Sequence, residues 1–197
     1  MNAENIIIRA VKSSRARLLV ALFILGCAAP AALAQSTLQC GARIVSNMRT
    51  PDGAPLCLFA MDSNNGSRVA VRRCGNLPGF LWKITRRDGG GLHILTAIQG
   101  SEARRMDVQD FGKHDGARIH LWSPNVHGIG YRNQTWDFFP SNRGDGSFHI
   151  ISVDSGKCLN IPLGTGTPLD QLFLQQFACS HAINDTWRIQ PVERGCS

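Results

Sequence analysis

The 197-residue sequence lacks the motifs and periodicities on which most enzymes and helical proteins depend. Beyond an N-terminal apolar segment, no stretch has a convincing helical period, and short alternating phrases between Gly, Asn and Asp turns fill the chain instead. No Gly-x-Ser-x-Gly elbow, His-Glu-x-x-His pair or phosphate-binding glycine loop is present. These absences argue against the common hydrolase and nucleotide-binding classes and favour an all-β protein that is not an enzyme.

The N-terminal segment has the order of a secretory signal peptide. Basic residues precede an apolar run at 18–34 that ends in small residues. A proline and an Ala-rich end leave an apolar core shorter than the ~20 residues of a spanning helix. We therefore expect cleavage of residues 1–34, a secreted or periplasmic protein without a membrane span, and a single mature domain at 35–197. The phrase "ILGC", ending at Cys27, leaves open an alternative as an outer-membrane lipoprotein.

Metal and nucleic-acid sites are also missing from the sequence pattern. None of the six cysteines beyond the signal segment has the short Cys-x-x-Cys spacing of zinc sites, and the six histidines are scattered. Cleavage would leave 17 Lys and Arg against 13 Asp and Glu, a net charge of only +4, and the arginines occur in separated pairs. A nucleic-acid binder would carry a dense basic stripe with interleaved aromatic residues. We expect no metal, no cofactor and no nucleic-acid partner.

An internal repeat organises the rest of the chain. The phrase "YRNQTWDFF" at 131–139 returns as "AINDTWRIQ" at 182–190. Three tryptophans, Trp82, Trp136 and Trp187, lie 54 and 51 residues apart. They hold equivalent positions in all three copies, including a first copy that lacks the polar residues of a binding site. We therefore predict that these tryptophans belong to the core.

Each copy of the repeat contains the same series of short elements. An apolar phrase leads into a polar loop with Gly, and a second alternating phrase is followed by another loop and the Trp. The copies are predicted at approximately 41–90, 91–142 and 143–192, with four strands in each. Because no copy can bury its own apolar face, the three are expected to close into one symmetric all-β body.

Two motifs of the repeat carry a resemblance to a known family. The first is the opening phrase, read as "CLFA" from Cys57 and "CLNI" from Cys158, and the second is the closing phrase "NQTW" at 133–136. The sequence thereby resembles the ricin-type lectin family, whose fold is the β-trefoil. This resemblance implies an exported, non-catalytic protein that binds glycans, either galactose-like or other cell-surface sugars. It leaves open an alternative as the cell-binding subunit of a bacterial toxin of the cytolethal distending type, with a catalytic toxin subunit as partner.

The repeat register within this fold implies three disulfide bonds, Cys40–Cys196, Cys57–Cys74 and Cys158–Cys179. The last two hold matching positions in the first and third repeats. In the second repeat these positions are Arg105 and Pro124, so both partners have been lost together. The first bond is expected because a closed trefoil brings its two ends side by side.

The resemblance implies a sugar site in the second repeat, formed by Asp107, His120, Trp122, Asn133 and Gln134. Asp107 would accept hydrogen bonds from two adjacent hydroxyls, with Gln134 orienting the carboxylate. Trp122 would stack on the sugar ring, and Asn133 would bond a further hydroxyl. His120 stands where the family often has Gln and would donate to the sugar. The side chains of Asp107 and Trp122 are both expected to project from the surface.

A weaker second site is implied in the third repeat, formed by Asn160, Gln175, Phe177 and Asn184. Asn160 takes the place of the carboxylate there, and an amide chelates hydroxyls less strongly. Asp185 takes the place of the Gln. The equivalent positions of the first repeat are Phe59, Arg72, Gly79 and Phe80. The first repeat is therefore predicted not to bind sugar in this manner.

Overall fold

The computed structural model of the protein describes residues 41–96, 103–125, 132–164, 168–180 and 182–192. Within these ranges the chain forms β-strands and short 3-10 turns but no α-helix. The strands are β1 (Ala42–Arg49), β2 (Pro55–Ala60), β3 (Val69–Arg73), β4 (Trp82–Arg86), β5 (Leu92–Thr96), β6 (Arg105–Val108), β7 (Ile119–Trp122), β8 (Trp136–Pro140), β9 (Phe148–Ser152), β10 (Cys158–Asn160), β11 (Gln175–Phe177) and β12 (Trp187–Pro191). The predicted all-β class is confirmed.

Six of the strands form a closed antiparallel ring. β1 pairs with β12 and β4, β4 pairs with β5, β5 with β8, β8 with β9, and β9 with β12. The other six strands form the hairpins β2–β3, β6–β7 and β10–β11. Each run of four consecutive strands thus supplies two strands of the ring and one hairpin. This arrangement is the β-trefoil, and the predicted fold is confirmed.

Single bridges join the three hairpins to one another in a cyclic order. The bridged pairs are Arg68 with His120, Arg118 with Gln175, and Phe173 with Ala70. Backbone hydrogen bonds reinforce these bridges, among them Leu121 N–H to the Ser67 carbonyl (2.8 Å) and Leu174 N–H to the Val69 carbonyl (2.9 Å). Residues just before β3, β7 and β11 are therefore brought together around the pseudo-threefold axis.

The three repeat tryptophans lie in the core, as predicted. Trp82, Trp136 and Trp187 are completely buried in one apolar cluster. A buried indole N–H needs an acceptor. Each Nε1 donates to a backbone carbonyl of the preceding hairpin: Leu58 (3.2 Å), Met106 (3.0 Å) and Leu159 (3.1 Å) respectively. The same apolar contact and the same hydrogen bond therefore recur in each repeat.

Two of the three predicted disulfides are present in the described residues, Cys57–Cys74 and Cys158–Cys179. Each ties the first strand of a hairpin to the segment that follows the second strand. The predicted Cys40–Cys196 bond lies outside the described residues, as do the signal segment and the lipoprotein position Cys27. In the described part of the chain, no helix has the length and apolar character that crossing a bilayer requires.

His93 on β5 makes the stability of the fold dependent on pH. Its side chain is 7% exposed, and burial together with the charges of Arg105 and Arg87 lowers its pKa to about 4. The unfolded chain binds a proton near pH 6.5, whereas the folded chain does not until about pH 4. The free energy of unfolding therefore falls as pH drops from 6.5 towards 4.

We expect this linkage to remove about 2 kcal/mol of stability between pH 7 and pH 4.5. The loss would be seen in urea denaturation at the two pH values. In His93→Gln the dependence over this interval should largely disappear, whereas His114→Gln, which changes an exposed histidine, should retain it. Equal dependence in the parent and His93→Gln would contradict the assignment.

Candidate functional site

The hairpin β6–β7 brings three of the predicted site residues together. Asp107 lies directly across from His120, and Trp122 lies across from Arg105 at the end of β7. Successive side chains of a strand point to opposite faces. Because Met106 and Leu121 face the apolar core, Asp107 and His120 face away from it. The hairpin register thus places a carboxylate, an imidazole and an indole on one side of the second repeat.

The Asp107 carboxylate is held by three side chains. His120 Nε2 lies 2.9 Å from Oδ1, while Asn133 Nδ2 and Gln134 Nε2 donate to Oδ2 at 3.0 and 2.8 Å. A carboxylate without a proton only accepts hydrogen bonds, so this contact requires the His120 tautomer with a proton on Nε2. These three contacts fix the orientation of the carboxylate.

Asp107 does not project from the surface, and that prediction is wrong. It is 3% exposed because the three donors surround its carboxylate. Trp122, by contrast, is 40% exposed, as expected, and its ring stacks on His120 with centroids 5.3 Å apart and planes 19° from parallel. The carboxylate therefore forms the floor of the site, and the indole forms an accessible wall.

Asn133 and Gln134 reach the site from the turn before β8. Asn133 Nδ2 also donates to the Val108 carbonyl at 3.1 Å. Gln134 Nε2 also donates to the Ser123 carbonyl at 3.0 Å, and its Oε1 accepts from the Asn125 N–H at 3.1 Å. These bonds to the backbone hold both amides in place. The pairing of Gln134 with the carboxylate is the one that the resemblance implies.

A shallow cavity of about 180 Å³ opens above this network. Its lining includes Asp107, Asp110, Phe111, His120, Trp122 and Asn133. The Oδ1 atom of Asn133 is buried and has no hydrogen-bond donor in the described structure. The cavity therefore combines an exposed aromatic ring, a fixed carboxylate and an unused acceptor, the groups needed to recognise a polyhydroxylated ring.

Two lining residues were not predicted from the sequence. Asp110 and Phe111 both have positive φ, 55° and 54°, a conformation that is rare for bulky residues. The turn exposes the Phe111 ring beside the cavity. The only sequence signal was their position between the hairpin strands, which does not reveal the backbone conformation.

The third repeat reproduces part of the arrangement. Asn160 lies across from Gln175, whose Nε2 donates to Asn160 Oδ1 at 3.0 Å. Asn184 Nδ2 donates to the Ile161 carbonyl at 3.0 Å, as Asn133 does to Val108, and its Oδ1 is likewise buried without a partner. Phe177 is exposed at the position of Trp122. The four predicted residues thus occupy equivalent places, but without a carboxylate at the centre.

Asp185 has a different environment from its counterpart Gln134. Its carboxylate is completely buried and accepts bonds from the Ser180 N–H at 2.7 Å and the Ser180 hydroxyl at 2.9 Å. Its second oxygen lies 3.4 Å from His149 Nδ1. The side chain therefore stabilises the turn after β11 and is not bonded to Asn160 in the way that Gln134 is bonded to Asp107.

The first repeat has an apolar and cationic surface at the same place. The rings of Phe59 and Phe80 are 4.6 Å apart, and the Arg72 guanidinium lies 4.9 Å from the Phe59 centroid. Gly79 replaces the Asn of the other repeats. Among the described residues, the equivalent positions of the first repeat therefore carry neither a carboxylate nor a hydroxyl-binding amide.

One group of three possible metal ligands is found among the described residues, His149, Cys158 and Asp185, with ligand atoms within 4.8 Å of one another. The sulfur of Cys158 is bonded to Cys179. Because a metal requires the thiolate, this group cannot coordinate an ion through the cysteine while the disulfide is intact.

The protein is a β-trefoil, and one known family of this fold matches part of its sequence. The family described as ricin-type beta-trefoil lectin domain-like matches residues 132–197. The resemblance indicated by the sequence motifs is therefore confirmed, with the match covering the end of the second repeat and the third. No curated protein sequence matches the chain.

Solved structures share the fold at low sequence identity. The designed three-fold symmetric protein ThreeFoil is 20% identical, with a TM-score of 0.63 over 77% of this chain and 98% of its own. An exo-β-1,3-galactanase from Clostridium thermocellum is 21% identical, with a TM-score of 0.62 over 78% of this chain and 30% of its own. A ricin B-like lectin from Macrolepiota procera, solved with lactose, is 13% identical, with a TM-score of 0.56 over 77% and 94%. At these identities the likeness establishes the fold alone.

Proposed function

We propose that the protein binds a glycan, without chemically altering it, chiefly through the second repeat. The observation that carries the proposal is the fixed Asp107 carboxylate beneath the exposed Trp122 ring, with the unused Asn133 Oδ1 beside them. A planar indole covers the apolar C–H face of a sugar, while a carboxylate and an amide oxygen accept hydrogen bonds from its hydroxyls. The lactose bound by the Macrolepiota procera lectin supports a galactoside as the first ligand to test.

The proposed site is suited to binding rather than to catalysis. Asp107 is committed to three donors, and Asp110 lies in an exposed turn at the edge of a shallow cavity. A hydrolytic pair of carboxylates needs one member kept protonated by an apolar or like-charged environment. The Asp107 carboxylate is instead surrounded by three polar side chains. The carboxylate can thus receive sugar hydroxyls but is poorly placed to supply a proton.

The affinity for a single sugar is expected to be low. Each hydrogen bond to the protein replaces one to water, so the net gain is about 1 kcal/mol per bond and a monosaccharide binds roughly in the high-micromolar to millimolar range. A multivalent glycan surface, or the third-repeat site formed by Asn160, Gln175, Phe177 and Asn184, would increase the overall avidity.

The proposal is tested by replacing Trp122 with alanine. We expect Trp122→Ala to lose glycan-array signal and to weaken lactose binding by about tenfold or more, because the stacking surface is removed. Since the ring is exposed and outside the core, stability should change by less than about 1 kcal/mol. Phe177→Ala, at the equivalent position of the third repeat, is the matched control and should have a much smaller effect. Binding by Trp122→Ala equal to that of the parent would refute the second-repeat site.

Export is the second part of the proposal and rests on the sequence of residues 1–34. Expressed with this segment in a bacterial host, the protein should leave the cytoplasm and begin at Gln35 on N-terminal sequencing. A chain beginning at lipidated Cys27 would instead assign it to the membrane surface. A role as a toxin-delivery subunit would be favoured if a neighbouring gene encoded a toxin catalytic chain.

A further inference from the structure

A second cavity lies where the three hairpins meet and shares no lining residue with the second-repeat site. Its volume is about 370 Å³, and its lining includes Arg68, Arg118, Pro162, Leu172, Phe173 and Gln175. Arg68 and Arg118 directly precede β3 and β7, and Phe173 lies two residues before β11. The cyclic bridges bring these three positions together. Two arginines therefore converge on one cavity at the pseudo-threefold axis.

Neither guanidinium group has a counter-ion among the residues that the structure describes. In the described part of the chain, neither Arg68 nor Arg118 makes an ion pair or a side-chain hydrogen bond, although most other arginines there do. The Arg68 guanidinium lies 4.3 Å from the centroid of the Phe173 ring, and its Nε is buried without an acceptor. Burial and the nearby charge of Arg118 both lower the pKa of Arg68. Among the described residues that line it, the cavity thus contains two like charges and unused donors but no acidic side chain.

The surroundings favour a compact oxyanion as the missing partner. Guanidinium groups bind sulfate, phosphate and carboxylate oxygens through paired N–H donors. The apolar wall of Leu172 and Phe173 reduces solvent screening of the charges, which strengthens their attraction for an anion. Phe173 is 38% exposed, so the cavity is open at this side.

We infer that Arg68 and Arg118 form a binding site for an oxyanion, a sulfate, phosphate or carboxylate group, in the cavity at the meeting point of the three hairpins. The site lies apart from the sugar positions of the second repeat and does not depend on them. The anion occupies the space between the two guanidinium groups and offsets their repulsion. Its source is either a free ion or an acidic group carried on a saccharide.

Titration with sodium sulfate at constant ionic strength, followed by amide NMR spectra of the domain at 35–197, tests the site directly. Sulfate should produce saturable shifts around Arg68, Arg118 and Phe173, and sodium chloride at the same ionic strength should not. Arg118→Gln, which changes an exposed side chain, should weaken sulfate binding by about tenfold or more because one of two charge-assisted contacts is lost. Shifts that do not saturate, or that chloride reproduces, would overturn the inference.

Matched variants separate the site from general effects of charge. Arg72→Gln removes another exposed arginine that lies over an aromatic ring, Phe59, and should leave sulfate binding unchanged. Without sulfate, Arg118→Gln should raise the melting temperature at low salt because the repulsion from Arg68 is removed. Equal sulfate binding by Arg118→Gln and the parent would refute the site even if the Arg68→Gln protein failed to fold.

The source of the anion is distinguished in the Trp122→Ala/Phe177→Ala background, in which the aromatic rings of both proposed sugar sites are removed. Galactose 6-sulfate and inorganic sulfate are compared there. Tighter binding of the sulfated sugar supports the site and assigns the anion to an acidic saccharide, whereas equal binding supports the site and assigns it to a free ion. Failure of both ligands to bind overturns this inference and leaves the lactose test of the second-repeat site unaffected.

Discussion

Replacement of Asp107 by alanine is expected to abolish glycan binding and to lower the free energy of unfolding by about 2–4 kcal/mol. The carboxylate accepts hydrogen bonds from His120, Asn133 and Gln134 within a buried network. Alanine leaves these donors without their shared acceptor. Asn133 and Gln134 keep their bonds to backbone carbonyls, and water can enter from the cavity, which limits the loss. Glycan-array binding and urea denaturation measure the two effects.

Asp107→Asn separates the loss of binding from the loss of stability. Its amide oxygen can accept from Asn133 and Gln134, while its amide nitrogen can donate to a His120 ring protonated on Nδ1. The network is then retained, and stability should stay within about 1 kcal/mol of the parent. Binding should still fall about tenfold, because a charged acceptor is replaced by a neutral amide.

The matched control for both variants is Asn160→Ala in the third repeat. Asn160 has the equivalent position and accepts from a single side chain, Gln175. We expect it to change glycan binding much less than either substitution at Asp107. If Asp107→Asn bound glycans as well as the parent, the carboxylate would have no role in binding. A comparable loss in Asn160→Ala would move the main site to the third repeat.

The register of the second-repeat hairpin was predictable because it follows from local patterns. The repeat alignment grouped Asp107, His120 and Trp122 into one site, and the observed register places Asp107 across from His120, with Trp122 at the end of β7. The alignment also predicted the Cys57–Cys74 and Cys158–Cys179 bonds. These relations depend on the order of residues within one repeat. That order can be read from the sequence because the three repeats align with one another.

Contacts between elements were not predictable in the same way. The resemblance implied the contact of Gln134 with Asp107, but it did not predict that Asn133 and His120 would also bond the carboxylate and bury it. The exposure of the Phe111 ring depends on the positive φ of Asp110 and Phe111. Neither residue is glycine, so the sequence does not predict this backbone conformation. The convergence of Arg68 with Arg118 arises only when hairpins of different repeats meet. Such features depend on how different elements pack together. The sequence pattern indicates mainly the order of strands and turns within each repeat.

The difference between the first repeat and the other two has a steric cause at Gly79. The equivalent Asn133 and Asn184 place their amides against the carbonyls of Val108 and Ile161. At Gly79 the backbone approaches the corresponding Ala60 carbonyl so closely that a Cβ atom would lie 2.4 Å from its oxygen. Phe59 has taken the position of the carboxylate and packs on Phe80. An asparagine therefore cannot restore a sugar site here without displacing the hairpin.

Gly79→Ala is expected to lower the free energy of unfolding by about 3 kcal/mol, because its Cβ would overlap backbone and ring atoms in a packed region. The contacts are the Ala60 oxygen at 2.4 Å and two atoms of the Phe59 ring at 2.7 and 3.0 Å. Gly53→Ala is the control, since Gly53 has a φ of +83° but nothing within 4 Å of its Cβ, and it should cost only about 1–2 kcal/mol from the left-handed conformation. Urea denaturation of the oxidised domain compares the two variants. A Gly79→Ala protein as stable as the parent, or more stable than Gly53→Ala, would show that the first-repeat hairpin can move aside and that close packing does not prevent a third sugar site.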